Sequence, residues 1–362
     1  MARHLAAATA GAGNHKVIPL QRLNPDGQVD GAVPMRKDQV LEAYRLMVQS
    51  RAIDDLATKL QRLKRVGLYA PVHGQEAAVV GSAMALDPHR DWMVPASREQ
   101  PAMIRHGLPL INFFAGYMGR LDHAGIPQSV KLLPRQQAIG AQLPHAAGLA
   151  WAMKLRHEHA AVMVYCGDGA SSEGDFHESL NLAGVMHVPL VIVVINNQYA
   201  ISTPFHKQTA AASLASRAIG YGMPGIVVDG DDLFAVYAAS DEAVTRALAD
   251  GGPTLIECRT YRVGFHNTSD NPNDYRHQAE VTAAVANDPL ARVERYVVAH
   301  GLLTDGEVAA LKEEIRLELD AAQKAASALP RPDSDYIFQH VYDVLPNRIE
   351  QQRAETAKEE GR

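Results

Sequence analysis

The chain has 362 residues, 47% of them hydrophobic, enough to bury a large core in one large domain or two ordinary ones. Its formal charge of -6 and the lack of a long basic run argue against a surface built for nucleic-acid phosphates or anionic lipid. The longest apolar runs, such as 188–195, fall far short of the roughly 18 residues that a membrane helix requires.

Residues 1–36 are rich in Gly, Pro, Asn and Ala with no sustained period, and read as an extended arm; "MARHLAAATAGAGNHK" lacks an apolar core of signal-peptide type. From Lys37 the spacing of Val40, Leu41, Tyr44, Met47 and Val48 predicts a long amphipathic helix ending near Gly67. Beyond about 137, apolar runs alternate with helical stretches. The pattern predicts strands at 160–166, 189–195, 225–228 and 253–261, with helices at about 174–187, 211–219 and 231–249. That order specifies an α/β fold, a doubly wound parallel sheet flanked by helices, with its chemistry at the carboxyl ends of the strands. Cys166 and Cys258 lie inside two of these strands, so they read as buried thiols of a reducing, cytosolic or matrix-like compartment. After Asp288-Pro289 the chain turns helical, Thr304 and Glu307 forming a capping box. The main domain is expected over 37–330, followed by a C-terminal extension, 331–362, whose charged end "QQRAETAKEEGR" is expected to fray.

Two short stretches stand out. "GDGASSEGD" (167–175) follows the 160–166 strand, with Ser172 and Asp175 placed as a capping box for the next helix. "NNQY" (196–199) follows the next strand, 29 residues from Asp168 to Asn197, the length of one strand-helix-strand unit. Neighbouring parallel strands lie about 4.8 Å apart, so the two motifs share a site. One carboxylate, an amide oxygen and free carbonyls suit a hard cation that keeps room for anionic oxygens, and helix N-terminal amides would face the anion. The expected ligand is a magnesium-bridged diphosphate.

Asp168 to Asn197 matches the thiamine-diphosphate signature, and the wider text resembles the alpha chain of the decarboxylating component of 2-oxo-acid dehydrogenase complexes, particularly the branched-chain type. The resemblance spans roughly 37–350 and includes "GQEAAVVGSAMALDP", "QLPHAAGLAWAMK", "RAIGYGMPGIVVDGDDLFAVY", "PTLIECRTYRVGFHNTSDNPNDYR" and "IFQHVYDVLP". It implies that Asp168 and Asn197 give side-chain oxygens to Mg²⁺ and Tyr199 its carbonyl, while Gly169 and Ala170 offer amides to the diphosphate. Arg98 would grip a terminal phosphate, a task suited to a forked cation. Ile139 would prop the bent cofactor. His266 would donate to phosphate or steady a developing alkoxide through a near-neutral pKa, and is the catalytic candidate. His73, His145 and His177 read as structural.

Four departures from that pattern concern substrate more than cofactor. Ser97 stands where a tyrosine is usual, and Ile195 where branched-chain relatives carry arginine. The loop 119–136 matches poorly, leaving His123 without a defined role. Asn267 replaces a phosphorylatable serine.

The implied reaction is oxidative decarboxylation of a branched-chain 2-oxo acid with acyl transfer to the lipoyl group of an acyltransferase component. The carboxylate that activates the cofactor would come from a separate beta subunit in an α2β2 assembly, leaving this chain inactive alone. Pyruvate or acetoin is the alternative substrate. A non-catalytic, partner-binding paralogue is a third reading. No nucleic-acid or membrane partner is expected.

Overall fold

The computed structural model describes residues 17–360, so the expectations for 1–16 lie outside the described residues. Seven strands occur in chain order: β1 (Trp92–Val94), β2 (Val162–Gly167), β3 (Leu190–Asn196), β4 (Tyr199–Ala200), β5 (Thr203–Pro204), β6 (Gly225–Asp229) and β7 (Thr254–Arg259). β1-β2-β3-β7-β6 form one sheet, every pair parallel, while β4 and β5 make a small antiparallel hairpin beyond the end of β3.

The sheet is covered on both faces, so its strands read as continuous apolar runs and their side chains sort by parity. Val162, Val164 and Cys166 of β2 and Leu190, Ile192 and Val194 of β3 pack beneath the helices Gln142–Leu155 and Gly174–Met186. Met163, Tyr165, Val191, Val193 and Ile195 point to the other side. There they meet the wholly buried helix Glu76–Ala83 and the helix Leu233–Leu248. Those two helices touch closely, since a Cβ on Gly81 would lie 3.0 Å from Val236 Cγ1. The doubly wound parallel sheet expected from the sequence is therefore observed.

Three local expectations are revised. Ser172 does not cap the helix after β2. The chain first makes a 3-10 turn, Gly169–Ser172, in which Ser171 N–H donates to the Asp168 carbonyl and Glu173 N–H to that of Ala170. The helix starts at Gly174. The stretch expected as helix at 211–219 is a 3-10 turn, Ala215–Tyr221, ended by Gly222 at φ +70°. The charged tail does not fray along its length: Asn347–Glu359 is an exposed helix, built from residues of high helix propensity and held by a two-pronged Arg353–Asp335 pair. The capping box of Thr304 and Glu307 occurs as expected, opening Asp305–Ala328. Among the described residues no helix is long and apolar enough to cross a membrane.

Residues 17–36 dock onto the sheet edge. Leu20 bridges Val228 of β6 in parallel, donating to Val227 O and accepting from Asp229 N–H, both at 2.9 Å. The clamp is Asp232, fully buried. Its Oδ1 accepts from Phe234 and Ala235 N–H as the N-cap of Leu233–Leu248, and its Oδ2 accepts from Arg22 and Leu23 N–H at 2.6 and 2.7 Å. Asp232→Ala would remove a cap and strand four amides, a loss of roughly 3 kcal/mol. Urea unfolding should show a clearly lowered midpoint, and an unchanged midpoint would refute the clamp.

Candidate active site

The parallel register sets the site. Gly167 pairs with Ile195 and Ile195 with Cys258, so the chain leaves β2, β3 and β7 at one level. After β2 comes Asp168, then the Gly169–Ser172 turn, whose leading N–H groups have no acceptor within the turn itself. Gly169 has no room for a side chain, because a Cβ there would meet Ala200 Cβ at 2.8 Å.

After β3 the chain bends sharply. Asn196 is fully buried and fastens the bend: Nδ2 donates to Glu257 Oε1 at 2.8 Å, and Oδ1 accepts from Gln198 N–H and Nε2. Gln198 takes φ +74°. Asn197 N–H donates to the Ile195 carbonyl at 3.1 Å, and its backbone lies close enough to Asp168 to oppose the effect of burial on that carboxyl. The Asn197 Nδ2 is engaged by Gln75 Oε1 at 3.0 Å, which leaves its Oδ1 with only a long bond, 3.3 Å, from Tyr199 N–H. Asp168 thus stands at the exit of β2, and Asn197 and Tyr199 at the exit of the neighbouring β3.

Three buried charged groups with neutral hydrogen-bond partners gather here. Asp168 is 1% exposed, burial pushes its carboxyl above the usual range, and its one side-chain hydrogen-bond partner is the neutral amide of Gln208, 2.6 Å away. On the other side stand two guanidinium groups. Arg98 donates to the carbonyls of Pro71 (2.5 Å) and His266 (2.6 Å), and Arg262, fully buried, donates to those of Tyr199 (3.1 Å) and Ile201 (2.6 Å) and to Tyr275 Oη. Their acceptors are neutral. The carboxyls nearest Arg98, Asp54 and Glu99, are each pushed up to about 7 by burial and are occupied by backbone amides. Burial and the neighbouring Arg262 bring Arg98 itself down to about 10, so it stays charged at neutral pH. Arg98 is buried, so it makes no surface ion pair.

His266 lies between them. Its Nδ1 is 3.1 Å from Arg98 Nη2 and 3.4 Å from Arg262 Nη1. Guanidinium nitrogens only donate, so Nδ1 carries the lone pair and the proton sits on Nε2. Burial, then Arg98 and Arg262, lower its pKa to about 4. The near-neutral pKa expected from the sequence is corrected: the group is a neutral imidazole offering an Nε2–H. Its loop is ordered by Asp270, which accepts from His266 N–H and Tyr275 Oη–H, both at 2.6 Å.

The remaining candidates are placed as follows. Ala170 is buried beside Gly169, and Ile139 is 60% exposed, an apolar side chain left open to solvent rather than packed in the core. Ile195 is buried in the sheet core, Ser97 is half-buried beside Arg98, and Asn267 turns its Oδ1 back to Ser269 N–H. His123 ends a 3-10 turn, Leu121–His123, with no side-chain hydrogen bond to Asp168, Arg98 or His266 among the described residues. The altered loop around it walls an apolar cavity of about 630 Å³ with Phe113, Leu121, Ile126 and Val130. His145 and His177 hydrogen-bond to the Ala141 carbonyl and Tyr221 Oη, and His73 Nε2 lies 3.8 Å from the Asp288 carboxylate. Sequence reasoning did not single out Arg262, Gln208 or Glu257. Arg262 had a usable signal, four residues before His266 at a strand's carboxyl end; Gln208 and Glu257 had none.

The donor set fits a cation-bridged diphosphate. A carboxylate, an amide oxygen and a carbonyl stand on one side, two guanidinium groups and an imidazole N–H on the other, with a glycine turn that a Cβ would fill.

Residues 44–335 match the family model for the dehydrogenase E1 component. Over 337 residues the chain is 40% identical to the pyruvate dehydrogenase E1 component subunit alpha of Staphylococcus epidermidis, covering 92% of this chain and 91% of that protein. It is 39% identical over 336 residues to the subunit of that name in Bacillus subtilis, covering 92% and 90%.

A neutral His266 has a direct check. In an NMR titration of the cofactor-free chain its ring signals should hold still from pH 8 to below pH 5 and move only toward about pH 4. Titration near the ordinary value of 6.5 would show that the two guanidinium groups do not face Nδ1.

Proposed function

The chain belongs to the dehydrogenase E1 component family as an alpha-type subunit of a thiamine-diphosphate-dependent 2-oxo-acid dehydrogenase, and from that premise we propose that it serves oxidative decarboxylation of pyruvate. Mg²⁺ would hold the cofactor diphosphate, and the acyl unit would pass to the lipoyl group of an acyltransferase partner. One observation carries this reading: a buried carboxylate whose one side-chain hydrogen-bond partner is an amide, and two buried guanidinium groups whose hydrogen-bond acceptors are all neutral, stand at adjoining strand ends. Leaving a buried charge unpaired costs several kcal/mol, and a metal diphosphate satisfies both at once. The pyruvate name of the relatives supports the substrate reading that stood second to a branched-chain acid.

Asp168, Asn197 and the Tyr199 carbonyl would ligate the cation, and Gly169 and Ala170 would turn amides toward the diphosphate. Arg98 would take a terminal phosphate oxygen. Arg262, already fastened to the Tyr199 carbonyl, would add positive potential where Ile195 supplies none. Bound there, thiamine diphosphate supplies the electron sink for loss of carbon dioxide from the keto acid. His266 would hold its proton on Nε2 throughout the neutral range and donate it as a hydrogen bond to a phosphate or developing oxyanion, acting as a fixed dipole rather than a proton shuttle. Ile139, exposed here, would be covered by the cofactor ring. The group that activates the cofactor would be a carboxylate of a beta subunit in an α2β2 assembly, located with its complex in the cytoplasm.

Assayed alone, the chain should show no turnover; assembled with its beta subunit it should decarboxylate pyruvate with a higher kcat/KM than acetoin or 3-methyl-2-oxobutanoate. Turnover by the isolated chain would refute the shared site, and preference for the branched acid would overturn the substrate. Asp168→Ala should weaken magnesium-dependent cofactor binding in the assembled protein by on the order of 100-fold, measured by calorimetry, with little change in its circular dichroism spectrum. Unaltered affinity would contradict the metal assignment.

A further inference from the structure

Gln208 follows the β4–β5 hairpin and the short 3-10 turn Phe205–Lys207, 40 residues from Asp168. Its Nε2 donates to Asp168 Oδ2 at 2.6 Å and to the Thr203 carbonyl at 3.0 Å. The amide orientation follows from chemistry, because the atom that faces Asp168 also faces the Thr203 carbonyl, which only accepts, so that atom is the nitrogen. Its other atom, Oε1, is buried with no hydrogen-bond partner. A buried acceptor left without a donor loses about 1–3 kcal/mol, so an unpaired oxygen beside the site's buried carboxylate calls for a donor that is not part of the chain.

Thr203 pairs with Ala200 in the hairpin whose first residue is Tyr199. Gln208 therefore spans the Asp168 carboxylate and the strand pair that bears the Tyr199 carbonyl. Mg²⁺ keeps several waters in its octahedral shell, and the protons of those waters need acceptors. A neutral amide oxygen provides one without adding charge.

We propose that Gln208 is a positioning residue for the divalent cation, holding Asp168 Oδ2 so that Oδ1 faces the metal and turning its own Oε1 to a metal-bound water. This rests on the reading of Asp168 as a metal ligand. It adds a residue to the site that neither the Gly-Asp-Gly nor the Asn-Asn motif contains. It also assigns the loop after the hairpin to cation affinity rather than to diphosphate affinity.

The test uses the full chain assembled with its beta subunit and titrates thiamine diphosphate binding against Mg²⁺ for the wild type, Gln208→Ala, Gln208→Met and Asp168→Ala. The half-saturating Mg²⁺ concentration should rise roughly 10–100-fold in the Gln208 variants, while the half-saturating cofactor concentration at saturating Mg²⁺ moves by less than about 3-fold. Gln208→Met keeps the side-chain volume, so it retains a measurable protein if alanine impairs folding. If both constants weaken together and the thermal midpoint falls, the residue is only structural and the proposal is overturned. An unchanged Mg²⁺ requirement overturns it as well. Should Asp168→Ala leave magnesium-dependent binding intact, the metal-site reading itself falls; if Asp168→Ala abolishes binding while both Gln208 variants match the wild type, only the role of Gln208 is lost.

Discussion

The structure depends on the parallel register of β2 and β3. Six consecutive Cα pairs, from Val162 with Leu190 to Gly167 with Ile195, bring two loops that are distant in sequence to one height above the sheet. A parallel pair slipped by one residue would also send each side chain to the wrong face, and both faces are dry here. The apolar parity of the strands therefore enforces the site geometry without any site residue taking part. β7 extends the effect: Thr260 and Arg262 N–H continue to the carbonyls of Asn196 and Asn197, so Arg262 reaches the Asn197–Tyr199 turn from the far side.

On that platform the protein gathers buried charges whose direct hydrogen-bond partners are neutral. Asp168 meets an amide, and Arg98 and Arg262 meet carbonyls, a phenol and an imidazole nitrogen. Glu257 shows the contrast. It is equally buried, yet it accepts from Asn196 Nδ2, Ala215 N–H and Arg259, so it works as a fastener inside the fold. Buried charge that is satisfied locally stiffens a turn, whereas buried charge left open marks where a ligand must come. Loop order then follows from the same groups, since Arg98 and Asp270 pin the two backbone sides of His266.

Much of this was legible because it is local or periodic. The capping box of Thr304 depends on two residues three positions apart, the strands on uninterrupted apolar runs, and Asp168 with Asn197 on the fixed length of one crossover. Errors arose where neighbours in space decided. Ser172 carries a capping sequence but lies in a turn dictated by the exit from β2, and the tail forms a helix on propensity that its charge density obscured. His266 was misjudged in pKa because no sequence pattern shows two guanidinium groups converging on one ring nitrogen.

The amino-acid sequence by itself determined the doubly wound sheet and the spacing of its two motifs, which rest on apolar period and element length, and its motif text carried the resemblance to the family. The tertiary structure alone decided the electrostatics. Which charges stay unpaired, that His266 is neutral, that Ile195 is core and Ile139 open, and that Gln208 touches Asp168 are properties of side chains meeting across long separations in a medium where burial magnifies every charge.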